Sequence, residues 1–593
     1  MLLAAYAESM TAVAAADPSL LLRVSGNAAV RRDHAGGLEV IRATSRRDTE
    51  SLMFSVEVPL ADAAGFWHPN TRHYRTLPAD WAGRETLSLV CSTPIGVLYD
   101  AAGAAVMGFA CDETVDEVTM RFGVCEERKT FVVHLELAPK AGRSNRLAVS
   151  VSHAPWTDVL TVLREWLAEG LGIDPLPVPS SALEPVYSTW YTFTQQISAE
   201  VIEEEAAIAR SIGCASVFID DGWQQFGDGR GYAGCGDWRP DPDKFPDLRA
   251  HVGRLHQLGM AVVLWVAPLL VGELAQQFPQ LASWASHFDE VLQTHILDPR
   301  LPEVRDHVVE ICVRMMKDYG LDGLKIDFLD RAEVYSGTDS SGDVPDVGLA
   351  MLALLRRLRE AVASAGFAAP LLEFRQPYVS PSLAPYGNVL RAADCPADAV
   401  VNRTSIIDCR LLSFGQVVHS DMLMWDPAAD LETATRQLLN VFFAVPQISM
   451  RLAHLSSDAR TALASTLARW RSVRDLALAG TLSVGSSDEH YPVVQSWDGA
   501  GNGLIGIYAA SHVPLDLADV QQVTLLNGTR NNHLVLDVAE PADVQVTIVR
   551  PDGVQETYRS SLAGGLVKLP APPCGIVVLD RLPAAPADSG ASA

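Results

Sequence analysis

The sequence predicts a multidomain chain, with a central (β/α)8 TIM barrel between an N-terminal β-sandwich and a small C-terminal β domain. Three observations predict it. At 593 residues the chain is too long for one hydrophobic core, so two to four domains are expected. Its first and last parts are short β runs broken by turn residues, whereas the middle alternates short apolar strands with helical segments. The alternating part holds eight such strands, the number that closes a parallel barrel.

Residues 1–175 read as the sandwich and its linker helix. The runs SLMFSVEVPL, ETLSLVCS, GVLYD, EVTMRFGV, TFVVHLEL and RLAVSVS alternate with turns, and TDVLTVLREWLAEGL (157–171) has helical periodicity. The Pro-rich stretch DPLPVPSSALEP then leads to the barrel, over 180–480. Its strands are read at VYSTWY (186–191), ASVFID (215–220), MAVVLWVAP (260–268), LDGLKIDFL (321–329), PLLEFRQPY (370–378), NVLRAAD (388–394), QVVHSDML (416–423) and VPQISMRL (445–452). HILDP (295–299) is taken as an insertion between the third and fourth. After the helical DARTALASTLARWRSVRDLALAG, β texture returns over 481–585 (VVQSWD, GLIGIYAA, QQVTLLNG, DVQVTIVRP, GIVVLDRL). Residues 586–593 read as a disordered tail.

The composition excludes several functions. A formal net charge of -26 argues against nucleic acid, because a phosphate-binding surface needs clustered Lys and Arg. No stretch is apolar enough to span a membrane. Nine scattered cysteines form no CxxC pair, so neither a zinc site nor a disulfide framework is expected. No metal and no organic cofactor are expected. The start, MLLAAYAESM, lacks the basic and long apolar regions of a signal peptide, and a reducing cytoplasm is the simplest compartment.

The chemistry should lie at the C-terminal ends of the barrel strands. In LDGLKIDFLD, Gly323, Lys325 and Asp327 share one face while Leu324, Ile326 and Phe328 share the other. The first face puts Lys325 and Asp327 in the barrel mouth, where charges are costly unless paired or working. Lys325 beside Asp327 would keep it ionised, as a nucleophile must be. The bland alternative is a structural pair closing the barrel. Two strands on, LRAADCPADAVVNR ends with Asp394 past Arg391. Like charge from Asp327 would raise the Asp394 pKa, letting it hold a proton for a glycosidic oxygen; the bland alternative is an Arg–Asp surface pair. A nucleophile and an acid/base of this kind describe retaining glycoside cleavage. The adjacent Asp220 and Asp221 of FIDDGWQ suit binding of neighbouring sugar hydroxyls, against the alternative of a helix cap. Trp190, Trp223, Trp265 and Trp425 recur near strand ends, and indoles make good walls for the apolar faces of sugars.

DDGWQ, GDWRPDPDKFPDL (236–248), GMAVVLWVAP and LKIDF, in this order, resemble the successive motifs of glycoside hydrolase family 36, the α-galactosidases of clan D. The resemblance covers roughly 186–452. It implies Asp327 as nucleophile, Asp394 as acid/base, and Asp220 and Asp221 as ligands of sugar hydroxyls. It further implies that Lys325 and Arg391 contact the glycoside and that Trp190, Trp223 and Trp265 wall the pocket. Trp67, in AGFWHPNTRHYR, is matched to an N-terminal aromatic that closes the pocket in some members. The chain departs from the family at FLDR after the nucleophile and at Ala393-Asp394-Cys395, which makes Asp398 and Asp421 rivals of Asp394.

The activity expected from the resemblance is hydrolysis of terminal non-reducing α-D-galactosides of oligosaccharides by double displacement. The alternatives are another retaining α-glycosidase (an α-N-acetylgalactosaminidase), a galactosyl-transferring enzyme of the same fold, or a non-catalytic carbohydrate-binding protein. The expected partner is a small oligosaccharide, with a homo-oligomer among the options the resemblance allows.

Overall fold

The computed structural model describes all residues except 1–9, 16, 26, 47–49, 70–75, 141 and 584–593. The tail expected over 586–593 therefore lies outside the described residues.

Eight parallel strands form the central sheet, in sequence order: Val186–Ser188, Ser216–Ile219, Ala261–Val266, Gly323–Ile326, Leu371–Arg375, Val389–Arg391, Val417–His419 and Gln447–Ile448. The first pairs with the eighth, and bridges from His419 to Val445 and from Leu423 to Ile448 link the seventh to the eighth, closing the ring. Each strand lies inside the segment read from the sequence, shortened because the ends turn outward into loops. Gly323 is required where the fourth strand meets the fifth, since a Cβ there would sit 1.8 Å from the Leu371 carbonyl oxygen. The HILDP segment is an insertion: Thr294–Ile296 pairs antiparallel with Leu270–Val271 and His287–Asp289 beside the barrel.

Register then decides which side chains meet. Lys325 lies beside Trp265 on one neighbour strand and Glu373 on the other, and Arg375, Arg391 and His419 line up across the fifth, sixth and seventh strands. Charged residues thus face one another round the upper barrel, above a core of Val and Leu.

The N-terminal part is a sandwich of two six-stranded antiparallel sheets sharing one core, with Phe54 and Phe131 from one sheet meeting Phe66 and Phe109 from the other. Several of its strands, such as Ala28–Ala35, escape a sequence reading because edge position leaves both faces wet. The helix Trp156–Leu171 buries Trp156, Val159, Leu160, Leu163 and Leu167, a single stripe at helical spacing, and ends at Gly172 with φ 61°. After the helices Ser457–Ser472 and Arg474–Ala479, a seven-stranded and a three-stranded sheet pack into the C-terminal domain.

The sandwich braces the barrel's functional end. Thr93 donates to the Val379 carbonyl at 2.8 Å, and Ser88 donates to Glu333 at 2.8 Å. These partners sit in the loops that follow the fifth and fourth strands. Among the described residues, no helix is long and apolar enough to cross a membrane.

Candidate active site

Asp327 follows the last residue of the fourth strand and is buried among donors. Its Oδ1 accepts from Arg375 Nε at 2.6 Å and from the Phe328 backbone N–H at 2.8 Å, and its Oδ2 accepts from Trp265 Nε1 at 3.1 Å. Phe328 adopts φ 55°, and that left-handed turn aims its N–H back at the carboxylate. Burial alone would raise the Asp327 pKa, but the Arg375 and Lys325 cations and the Trp265 bond outweigh it and hold the carboxyl well below its ordinary range. The group is therefore ionised.

Lys325 does help to keep Asp327 ionised, but its direct partner is another carboxylate. Its Nζ pairs with Asp220 Oδ2 at 2.6 Å and stands 3.9 Å from Glu373, and it acts on Asp327 only through space. Arg375 is the direct counterion. Facing strands decide this pairing, since Lys325 reaches across the ring toward the second strand.

Asp394 lies just beyond the sixth strand, half exposed, with Oδ1 2.8 Å from Arg391 Nη2. The expected rise in its pKa does not occur. Burial and Asp327 push it up, but Arg391, Arg375 and Lys325 together hold it below its ordinary range. The raised carboxyls are elsewhere. Asp421 is pushed up to about 6, first by burial and then by Asp394 against the pull of Arg391. Asp221 is also pushed up to about 6, by burial and by Asp220.

The rivals of Asp394 separate cleanly. Asp398 caps the helix Ala399–Leu412, accepting from Val400 N at 3.1 Å and Val401 N at 3.0 Å. Asp421 is fully buried behind Asp394. It accepts from Arg391 Nη1 at 2.6 Å, Tyr191 Oη at 2.9 Å and the Cys395 N–H at 2.7 Å. Arg391 thus spans both carboxylates, with Glu373 3.4 Å from its Nε.

Asp220 and Asp221 end the second strand, side by side and buried. Asp220 Oδ1 accepts the Asp221 N–H, and Asp221 accepts from Gln195 at 2.7 Å and Gln224 at 2.6 Å. The tryptophans divide. Trp265 touches Asp327. Trp190 stays partly exposed on the turn after the first strand, beside Tyr191. Trp223 is fully buried and donates to the Trp265 carbonyl at 2.9 Å, so it supports the wall instead of facing the pocket. Trp425 is also buried, packed by its backbone N–H on the Met450 sulfur. Trp67 corrects the resemblance. It is fully buried where three domains meet, its indole N–H 3.0 Å from both Asp408 and the Tyr491 hydroxyl.

Sequence reasoning missed Arg375, Glu373 and Tyr232. Glu373 and Arg375 alternate in LEFRQ just as Lys325 and Asp327 do in LKID, so the first two carried a readable signal. Tyr232 did not. It comes from an irregular Gly-rich loop, packs on Phe328 at 5.0 Å and Trp265 at 6.0 Å, and feels the charges of Asp221 and Asp327. Among the described residues, no group of His, Cys, Asp and Glu is placed to hold a metal. The arrangement presents one buried, ionised carboxylate and a second, half exposed, each in contact with an arginine.

Known proteins share the fold and part of the sequence. Residues 181–360 match the Melibiase family. Alpha-galactosidase C of Emericella nidulans is 27% identical over 164 residues, which is 24% of this chain and 21% of that one. An A type blood alpha-D-galactosamine galactosaminidase of Flavonifractor plautii is 26% identical over 176 residues, 26% of this chain and 15% of that one. The matched segment thus spans about a fifth, or less, of these relatives. The α-galactosidase of Lactobacillus brevis superposes with TM-score 0.63 at 15% identity, covering 98% of this chain and 84% of the other. A GH36 α-galactosidase of Geobacillus stearothermophilus in complex with raffinose gives 0.61 at 16%, covering 95% and 82%. Residues 181–360 are thus similar to the Melibiase family, and the chain as a whole has the fold of the GH36 α-galactosidases.

Proposed function

We propose that the protein is a retaining α-galactosidase, hydrolysing terminal non-reducing α-D-galactosides of oligosaccharides by double displacement. The observation that carries this reading is Asp327, held ionised at the end of the fourth strand by Arg375, with Trp265 on its other oxygen. A carboxylate fixed in that state is suited to attack an anomeric carbon. Asp394 serves as acid/base: it is half exposed at the mouth, and a bound sugar would remove its water and raise its pKa toward the protonated form. Asp220 and Asp221 would take sugar hydroxyls, with Lys325 and Arg391 fixing the carboxylates around the glycoside and Trp190 and Trp265 forming its walls. The substrate class is supported by the raffinose complex of the Geobacillus relative. The Flavonifractor relative supports a second reading, cleavage of an α-N-acetylgalactosaminide on the same carboxylates. Nine free cysteines, eight of them buried, fit a reducing cytoplasm.

A panel of chromogenic α- and β-glycosides tests sugar and anomer together. Release from the α-galactoside, with the α-anomer formed first by NMR, is the expected outcome. No turnover of any α-glycoside, or first release of the β-anomer, would overturn the proposal.

A further inference from the structure

Asp327 carries a full cation against one of its two oxygens. Oδ1 accepts two donors, Arg375 Nε and the Phe328 N–H, whereas Oδ2 accepts only Trp265 Nε1. A carboxylate offers about four lone-pair directions, so the open one is on Oδ2. The guanidinium is fixed in place. It lies over Phe328 at 5.6 Å and Tyr378 at 5.3 Å, donates through Nη1 to the Gln376 carbonyl at 3.0 Å, and stands 3.8 Å from Asp330, which Tyr378 holds through its hydroxyl.

On the reading of this site as a retaining glycosidase, we propose that Arg375 is a catalytic residue whose charge drives the second half-reaction, release of the sugar from Asp327. In the first half, Oδ2 gives an electron pair to the anomeric carbon, the glycosidic C–O bond breaks, and the leaving oxygen takes the proton of Asp394. Asp327 loses its charge, so Arg375 opposes this half. In the second half, a water oxygen attacks the anomeric carbon and its proton passes to Asp394. The bond to Oδ2 breaks, and its electron pair returns to Asp327. The carboxylate charge reappears against a cation already in contact, and the covalent ester is polarised through Oδ1.

The test is pre-steady-state kinetics of the full chain with an activated aryl α-galactoside, whose good leaving group eases the first half and leaves the second unchanged. Arg375→Gln keeps a donor without the charge. The expected result is a burst of aryl alcohol equal to the enzyme present, absent in the wild type, with kcat and KM falling together by roughly ten- to a hundredfold. Kcat/KM then changes far less, and methanol as acceptor speeds turnover. A fall in kcat/KM equal to that in kcat, with no burst, would overturn the proposal. Arg375→Lys guards against a misfolded Gln variant: it keeps the charge with poorer geometry, and a smaller burst is expected. If Arg375→Gln fails to fold, Arg375→Lys carries the test, and equal falls in its kcat and kcat/KM with no burst would overturn the proposal. Wild-type turnover separates the two readings: without it the glycosidase reading itself fails, whereas turnover with no burst in either variant defeats only the role of Arg375.

Discussion

Lys325 Nζ lies 2.6 Å from Asp220 Oδ2, which joins the fourth barrel strand to the second. Both side chains are almost fully buried. A buried pair of this kind makes each partner dependent on the other, because removing one strands a charge. Lys325→Met or Asp220→Asn alone should cost about 3–5 kcal/mol and lower the melting temperature. The double variant should recover most of that loss while activity stays absent. Single variants that melt like the wild type would show that the charges are compensated elsewhere.

Asp394 and Asp398 are four residues apart yet do different work. Asp394→Asn should slow cleavage of unactivated α-galactosides by roughly 10²–10⁴-fold, with a smaller effect on activated aryl galactosides. Azide should then yield the glycosyl azide of retained configuration. Asp398→Ala should cost about 1 kcal/mol through its lost helix cap and leave kcat/KM near the wild-type value. The opposite ranking would move the acid/base role to Asp398.

The pH dependence of stability follows from the buried carboxyls. Asp221 and Asp421 have folded pKa values raised to about 6, so each contributes stability when protonated that is lost as pH rises from about 4 through 6. Asp327 is depressed, so its contribution is present above about pH 4 and lost as pH falls further. Melting temperature against pH should therefore decline between about pH 4 and 6, and Asp421→Asn should flatten that decline. An unchanged slope in the variant would exclude Asp421 as its source.

Asp421→Asn should also move the alkaline limb of kcat, which reports the substrate complex, where the bound sugar raises the Asp394 pKa. Asp394 faces Arg391, Arg375 and Lys325 as cations, and Asp327, Asp421 and Tyr191 as opposing groups. Deleting the Asp421 charge leaves Arg391 acting more strongly on Asp394, so its pKa falls and the limb shifts to lower pH. A shift to higher pH would contradict the arrangement.

Trp67 should matter for assembly and not for substrate. Trp67→Phe removes the indole N–H shared with Asp408 and Tyr491, and about 1–3 kcal/mol of stability should go with it. KM for an aryl α-galactoside should stay unchanged. A several-fold rise in KM would instead return Trp67 to the pocket.

Much of this site was legible because strand alternation is a strictly local rule. LKID and FIDD place their carboxylates at strand ends from spacing alone, and the structure puts Asp327, Asp220 and Asp221 there. The same rule would have found Glu373 and Arg375 in LEFR. It could not have found Tyr232, whose loop has no periodicity, nor separated Trp223 from Trp265, since both indoles read as pocket walls until the bond from one to the backbone of the other is seen.

The sequence by itself determined the eight barrel strands, the flanking β texture and the carboxylates at the barrel mouth, because side-chain periodicity and turn chemistry act over a few residues. Only the tertiary structure decided the partners. Lys325 went to Asp220, Arg375 to Asp327, Arg391 to both Asp394 and Asp421, and Trp67 to a junction of three domains. Each of those choices is made by register between strands or by contact between domains, over sequence separations that no local pattern encodes. Electrostatics follows the partners. Of the two neighbouring carboxyls, Asp421 and not Asp394 has the raised pKa, because burial, and not proximity to Asp327, sets it.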